Sequence, residues 1–242
     1  MPRVGTRKLH YLLRETFEHK NLKMGRDGLF RLLGREGLLV LKRKKYTVTT
    51  NSRHWMHKYP NLIKGLKPHR PEQVWVSDIT YIDTLKETLY LHLVTDAYSK
   101  KIMGYELCNN MEAASTVKAL KMAIRGRKYK ESLIHHSDRG LQYCSRLYVN
   151  ELKKSNILIS MTENGDPYEN AVAERINGIL KDEFGLSGRL SDMEEGLQLA
   201  RQGISTYNSL RPHLSCGMLT PAQMHKQDKI EIKTYKKAQA PF

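Results

Sequence analysis

Three acidic residues stand where a solvated surface charge is not expected. Asp78 lies inside the apolar and β-branched run Val74-Trp-Val-Ser-Asp-Ile-Thr-Tyr-Ile82. Asp138 closes another such run in Ile134-His-His-Ser-Asp-Arg-Gly140. Glu174 sits among alanines in Asn170-Ala-Val-Ala-Glu-Arg-Ile-Asn177. Carboxylates in apolar settings suit one kind of chemistry above others. Hard divalent cations take oxygen ligands, and magnesium is commonly held by one or two carboxylates, with substrate phosphate and water completing the shell. Two such ions about 3.5–4 Å apart can activate an attacking oxygen and stabilise a leaving one in an in-line displacement at phosphorus. Spacing alone leaves alternatives open: Asp83 or Asp96 could stand in for Asp78, and Glu163 or Glu169 for Glu174. Asp96 also suits a bond to its adjacent turn, and Asp166 before Pro167 has turn chemistry.

Positioning these groups requires particular elements. Residues 74–83, 90–98 and 101–107 are rich in Val, Ile, Tyr and Thr and are separated by short gaps, which predicts an antiparallel meander. A helix is expected over about 111–125, a fourth strand over 133–136 ending at Asp138, and a helix over 145–155. A fifth strand follows over 157–161, then a turn into a helix running through Phe184, and a further helix over about 193–209. Three strands followed by α-β-α-β-α give a mixed α/β sheet covered by helices on both faces. Asp78 then falls midway along the first strand and Asp138 at the carboxyl end of the fourth, where open sheets gather their ligands. If these strands are neighbours, both aspartates can face one metal pair. Glu174 reaches in from a helix.

Upstream, residues 6–20 read as one helix, with Thr6 as its cap and Leu9, Leu12, Leu13 and Phe17 as its apolar stripe. A second helix carries Leu29, Leu32 and Leu33 and ends near Gly37. The pair fits a helix-turn-helix with Arg26, Arg31 and Arg35 toward phosphate, and equally a helical hairpin docked on the main domain. Lys42-Arg-Lys-Lys45 and the unpatterned stretch to residue 70 read as a basic, backbone-tracking linker. The expected division is a basic segment over 1–45, a linker over 46–70, a catalytic core over 71–226 and a tail over 227–242.

The chain of 242 residues is 40% hydrophobic and carries a formal charge of +16. That charge is uneven: residues 1–70 hold 18 Lys and Arg against 4 Asp and Glu, whereas the remainder holds 23 against 21. The imbalance points to a polyanion partner for the first seventy residues, nucleic acid above all. No stretch is long and apolar enough for a membrane span, and no secretory signal opens the chain. Cys108, Cys144 and Cys216 fit neither a disulfide framework nor zinc spacing, and His54 and His57 lack the cysteine pair a zinc site needs. A cytoplasmic, nucleoid-associated protein is expected.

Several motifs in order now carry a family resemblance. They are Trp75-Val-Ser-Asp-Ile-Thr-Tyr-Ile82, Asp96-Ala-Tyr-Ser99, His136-Ser-Asp-Arg-Gly140 and Gly165-Asp-Pro-Tyr-Glu-Asn-Ala-Val-Ala-Glu174, then Leu180-Lys181, Tyr207-Asn-Ser-Leu-Arg-Pro-His213 and Thr220-Pro221. With 35 residues between Asp138 and Glu174, the stretch over about 70–225 resembles the catalytic core of bacterial insertion-sequence transposases of the retroviral-integrase superfamily, specifically the second-reading-frame product of two-frame elements. Residues 6–45 resemble the helix-turn-helix segment preceding that core. The family often has Asp where Glu169 stands, and the His-His-Cys-Cys zinc module of retroviral integrases has no counterpart here.

The resemblance implies a ribonuclease-H-like fold, with a five-stranded mixed sheet behind a small basic helical segment, and an Asp78–Asp138–Glu174 catalytic triad. It implies two Mg²⁺ or Mn²⁺ ions, and DNA cleavage followed by strand transfer from a 3′-OH. Element ends and target DNA are the expected partners, bound by a homo-oligomer, with an upstream-frame DNA-binding product as fusion partner. It also marks Lys181, two helical turns beyond Glu174 and on the same face, as a contact to element-end DNA. Arg139, Arg175 and the run Lys42, Arg43, Lys44 and Lys45 are further candidate DNA contacts. Tyr207, Asn208, Arg211 and His213 are candidates to line the DNA side of the last helix.

Overall fold

The alternation of short β-branched runs with amphipathic segments produces the expected layers. The computed structural model describes residues 3–40, 55–163 and 170–226. The basic run Lys42, Arg43, Lys44 and Lys45, the turn around Asp166 and the tail over 227–242 lie outside the described residues.

The strands are β1 (Val74–Asp83), β2 (Thr88–Asp96), β3 (Ile102–Cys108), β4 (Leu133–Ser137) and β5 (Ile157–Met161). They form one sheet in the order β3-β2-β1-β4-β5. The first three make the antiparallel meander, and β4 and β5 join in parallel on the other side of β1. The parallel strands need helical crossovers, and the helices that supply them cover the sheet.

Side-chain period two divides β1 cleanly. Trp75 faces a core built with α4 (Ala113–Arg125) and α6 (Arg146–Lys154). Val74, Val76 and Ile82 face the other side, where α7 (Ala171–Glu183) and α8 (Met193–Leu210) lie. Asp78 belongs by parity to this second face. Asp192 caps α8 by accepting from the amides of Glu194 and Glu195. Thr220 and Gln223 form a reciprocal capping box at α9 (Pro221–His225), with Pro221 in the first turn, a pattern in which each side chain satisfies a backbone donor.

Close approach of α4 to the sheet is made possible by Gly104 on β3. A Cβ there would lie 2.1 Å from the Ala119 carbonyl oxygen and 2.7 Å from the Ala123 nitrogen. Backbone cannot yield as a side chain does, so Gly104→Ala is expected to destabilise the protein by about 3 kcal/mol, read as a lower midpoint in urea unfolding with an unchanged slope. A midpoint equal to that of the unaltered chain would mean that α4 moves freely.

The amino-terminal segment differs in detail from its sequence reading. The single helix expected over 6–20 is two, α1 (Thr6–Leu12) and α2 (Arg14–His19), broken at Leu13, and Gly5 rather than Thr6 occupies the cap position. A left-handed Asn21 turns the chain toward α3 (Arg26–Arg35), and Gly37, also left-handed, follows its end. Leu29 is its one buried hydrophobic residue among those described, so the helices cannot hold themselves together by core alone. They dock on the main body, where Lys8 reaches Glu183 of α7 at 3.3 Å.

Residues 55–70 form no helix or strand and run beside β5. The Met161 amide donates to the Pro60 carbonyl, the Leu62 amide to Ser160 Oγ, and Met56 and Tyr59 pack on the core. The edge of the sheet is thereby covered, as exposed edges must be. Three short elements escaped the sequence reading: α5 (Leu141–Cys144), a 3₁₀ turn at Leu214–Cys216 and α9. Each spans little more than a single turn, too brief to show a period.

Candidate functional site

The relation between the two aspartates follows from strand register. Val74, Trp75 and Val76 pair in parallel with Ile134, His135 and His136. Carrying that offset two residues further sets Asp138 level with Asp78, on the same face of adjacent strands. Gly140 is the pivot: its amide donates to Asp138 Oδ1 at 3.0 Å, and a Cβ there would press on that same oxygen. Asp78 Oδ1 accepts from the Ile79 amide at 2.9 Å, and Oδ2 accepts from Asn177 Nδ2 at 2.7 Å.

The pair is electrostatically costly. Part of Asp78 remains open to solvent, but its carboxyl is crowded by protein. Burial, with the negative charge of Asp138 next and a smaller push from Glu174, outweighs the two hydrogen bonds and moves Asp78 up to about 7. Desolvation and like charge both disfavour the ionised form. Glu174 itself lies in the first turn of α7, exposed, and close enough for Asp78 to feel its charge.

A stripe runs down that face of α7. Asn170, Glu174, Asn177 and Lys181 are spaced four, three and four apart, so they line up one above another. Lys181 is half-buried; burial lowers its pKa, while Asp83, Asp78 and Asp182 act to raise it. Its ammonium therefore sits within electrostatic reach of Asp78. Asn177 and Asn170 were not singled out from sequence, although the heptad spacing around Glu174 was a readable signal for both.

The other candidates are dispersed. Arg139 follows Asp138 and is half-buried beside Cys144. Arg175 is exposed, and its charge is felt by Lys8, Tyr207 and His213, placing it on the far flank of α7. Asp96 is fully buried and accepts from the Ser99 amide and hydroxyl and from the Glu72 amide. It serves its turn, as the sequence suggested. Glu163 Oε1 accepts from the Asn61 amide at 3.4 Å, and Glu169 lies outside the described residues.

One expectation is overturned. Tyr207, Arg211 and His213 do not line an open surface; they are buried, Arg211 to 1% exposure. Arg211 donates to Glu183 through Nε at 2.7 Å and Nη2 at 2.6 Å, and through Nη1 to His213 Nε2 at 3.0 Å. Asn208 both accepts from and donates to the backbone of Ile102, each at 3.0 Å. The motif is structural: it ties the end of α8 to the outer strand and to α7. A planar guanidinium meeting a carboxylate at two points is as good a clamp in a core as on a phosphate.

Oxygen donors of this kind fit a divalent cation. Two carboxylates this near one another repel until positive charge is supplied between them. Among the described residues no three His, Cys, Asp or Glu side chains already form a closed metal-holding group. No described helix is long and apolar enough to cross a membrane, and the three cysteines are free and buried.

Residues 68–167 and 155–221 each match an Integrase core domain family. Over 92% of its length the chain is 36% identical to the insertion element IS600 uncharacterized 31 kDa protein of Shigella sonnei, covering 81% of that protein. It is 33% identical to transposase InsF for insertion sequence IS3A of Escherichia coli K12, with 81% of this chain and 69% of that protein covered. It is 30% identical to the putative transposase for IS986/IS6110 of Mycobacterium tuberculosis H37Rv, with 86% and 78% covered. Among solved structures, the HTLV-2 integrase catalytic core domain in complex with magnesium matches with a TM-score of 0.53 at 20% identity, covering 66% of this chain and 99% of that one. A chain of the simian T-cell lymphotropic virus intasome in complex with PP2A regulatory subunit B56 gamma matches with a TM-score of 0.56 at 18% identity, covering 98% and 79%. These two likenesses show a shared ribonuclease-H-like fold.

Proposed function

Because the chain belongs to the insertion-sequence transposases that carry an integrase core domain, we propose that it cleaves and joins DNA strands in a divalent-metal-dependent transposition reaction, with Asp78, Asp138 and Glu174 as its catalytic acids. The observation that supports this reading is that Asp78, on β1 beside the parallel β4 that Asp138 follows, feels the charge of both Asp138 and Glu174.

Asp78 and Asp138 would hold the metal from the sheet, and Glu174, drawn inward from its exposed position, would complete the set. Two Mg²⁺ or Mn²⁺ ions so held supply positive charge at the attacked phosphate and favour the ionised form of the attacking oxygen. Around that charge the protein's own groups bind and orient. Lys181, two turns below Glu174, is set to hold a phosphate of the element end, and Arg139 beside Asp138 is a second candidate. Lys42, Arg43, Lys44 and Lys45 are proposed to track the DNA backbone; Arg175, on the far flank, suits a more distant phosphate.

The chemistry balances without ATP. Water first attacks a phosphodiester at the element end, and the broken P–O bond frees a 3′-OH. That hydroxyl then attacks a target phosphodiester, making one P–O bond as another breaks; its proton passes to solvent, and the departing 3′ oxygen takes one up. Assembly of more than one subunit on paired ends, together with an upstream-frame DNA-binding product, belongs to the same proposal. The uneven basic charge of the first seventy residues supports the DNA partner.

The test supplies labelled element-end DNA and target DNA with Mg²⁺ and compares the native chain with Glu174→Gln. Joined product from the native chain alone, with DNA binding equal in both, supports the reading. Cleavage without joining would indicate a nuclease, binding without either reaction a DNA-binding protein, and equal joining by the variant would sink the assignment of Glu174.

A further inference from the structure

Glu174 has no covalent reason to stand over Asp78. It rides on a helix, and its reach depends on how that helix is rotated and set along β1. The apolar contacts of α7, through Ala173, Ile176, Ile179 and Leu180, give adhesion but little direction, because burial of apolar surface is non-directional. Direction comes from two amides. Asn170 Nδ2 donates to the Ser77 carbonyl at 3.2 Å, and Asn177 Nδ2 donates to Asp78 Oδ2 at 2.7 Å. These partners are neighbours on β1, and the two asparagines are two helical turns apart, one on each side of Glu174.

The orientation of both amides is chemically determined. A backbone carbonyl and a carboxylate only accept, so each asparagine must present its NH₂ group. Both side chains are buried, at 6% exposure, and among the described residues neither buried Oδ1 atom has a hydrogen-bond partner. An unsatisfied buried acceptor costs free energy. That cost falls at two positions on the stripe that carries Glu174 and Lys181.

We infer that Asn170 and Asn177 are positioning residues which fix α7 on β1 and orient the Asp78 carboxylate, so that Asp78 and Glu174 meet a divalent cation together. Asn177 is the more direct of the two. With Oδ2 engaged by Asn177 and Oδ1 by the Ile79 amide, the carboxylate cannot spin, and each oxygen keeps a lone pair for the cation. Partners that hold a metal ligand in place commonly change metal affinity by roughly 10- to 100-fold when removed. The inference rests on the reading of Asp78 and Glu174 as metal ligands.

Two measurements on the full chain test it: the rise in thermal midpoint produced by Mg²⁺ titration without DNA, and the Mg²⁺ concentration giving half-maximal joining. Asn177→Leu, which keeps the branched shape and removes the donor, is expected to need roughly tenfold more Mg²⁺ in both. Maximal joining should be largely recovered at saturating Mg²⁺, and Asn177→Gln, which restores a donor, should lie between. Asn170→Ala is expected to shift both in the same direction by less. If the leucine variant does not fold, the glutamine and Asn170 variants carry the comparison. Half-saturation unchanged in every folded variant, in a native chain that responds to Mg²⁺ and joins DNA, overturns the inference. A native chain that neither gains stability from Mg²⁺ nor joins DNA overturns instead the functional reading beneath it.

Discussion

An Asp78→Asn variant is expected to lose strand joining by roughly a thousandfold or more, the scale set by several kcal/mol of transition-state stabilisation. The same variant is expected to resist unfolding better than the native chain at pH 8 when no divalent metal is present. Both effects come from one cause. The Asp78 carboxyl is moved up to about 7 by burial, by Asp138 and by Glu174, so above that pH the fold must hold a charge that the unfolded chain carries freely. A carboxyl raised in the native state contributes stability below its unfolded pKa and loses it as pH rises through the folded value. The shift alone would correspond to about 4 kcal/mol, and solvent access at Asp78 scales this to about 1–2 kcal/mol. The gain in the variant should therefore be present at pH 8 and vanish near pH 4, read from paired urea-unfolding curves. Added Mg²⁺ should stabilise the native chain and do little for the variant, because a ligand stabilises only the state that binds it. A variant less stable than the native chain at pH 8 would show that Asp78 serves the fold, not a function held at the expense of stability.

Acid is expected to unfold the protein between about pH 6 and pH 4, above the range in which carboxylates alone would act. Three histidines are held neutral in the folded state. Burial, with the cation of Arg211 next, lowers His213 to about 2; burial and His136 lower His135 to about 3; burial lowers His92 to about 4. Geometry agrees in each case. His213 must accept from Arg211 Nη1, His135 Nε2 faces the Ser77 and Tyr148 hydroxyls at 2.7 and 2.8 Å, and His92 Nδ1 faces Thr116 Oγ1 at 2.9 Å. Above pH 6.5 neither state is protonated at these sites and the fold is undisturbed. Below it the unfolded chain takes up protons that the native chain refuses. Each histidine then costs up to about 1.4 kcal/mol per pH unit, so the three together cost about 4. Against a usual stability of about 5–15 kcal/mol that is enough to unfold the chain. Asp78, gaining as pH falls through about 7, and Asp96, whose carboxyl burial also raises, oppose the trend, but they are two groups against three. Below the ordinary glutamate range, protonation of Glu72 and Glu183, both held low despite burial by their hydrogen bonds to His225 and Arg211, acts in the same direction as the histidines. Circular dichroism across pH 7 to 4 reads the transition, and His213→Gln, which keeps an acceptor for Arg211 but cannot ionise, should move it to lower pH. A transition below pH 4 in both proteins would mean that these rings protonate without penalty.

Asp78, Asp138 and Glu174 were conspicuous in the linear chain because charge inside an apolar run is itself unusual, and runs such as those of β1 and β5 declare their type by composition. Their boundaries at Val74–Asp83 and Ile157–Met161 coincide with the sequence reading. The single-turn α5 was not legible, because a period cannot be seen in one turn. The break at Leu13 was hidden because Leu9, Leu12, Leu13 and Phe17 form one continuous helical stripe, and a stripe says nothing about a local kink. The burial of Tyr207, Arg211 and His213 was misread for a different reason: polar side chains signal surface by default, and only the arrival of Glu183 from α7 makes a buried guanidinium tolerable.

By itself the sequence determined the strands and most of the longer helices, which residues carry oxygen donors in apolar surroundings, and how unevenly basic charge is spread along the chain. These are local properties, written in composition and in periods of two and 3.6. Only the tertiary structure decided that β4 lies beside β1 rather than elsewhere in the sheet, in the register that sets Asp138 level with Asp78. It alone decided that α7 is held on β1 by two asparagine amides, one on each side of Glu174. Strand order and helix docking depend on contacts far apart in the chain, and such contacts are chosen by packing on both faces of the sheet at once.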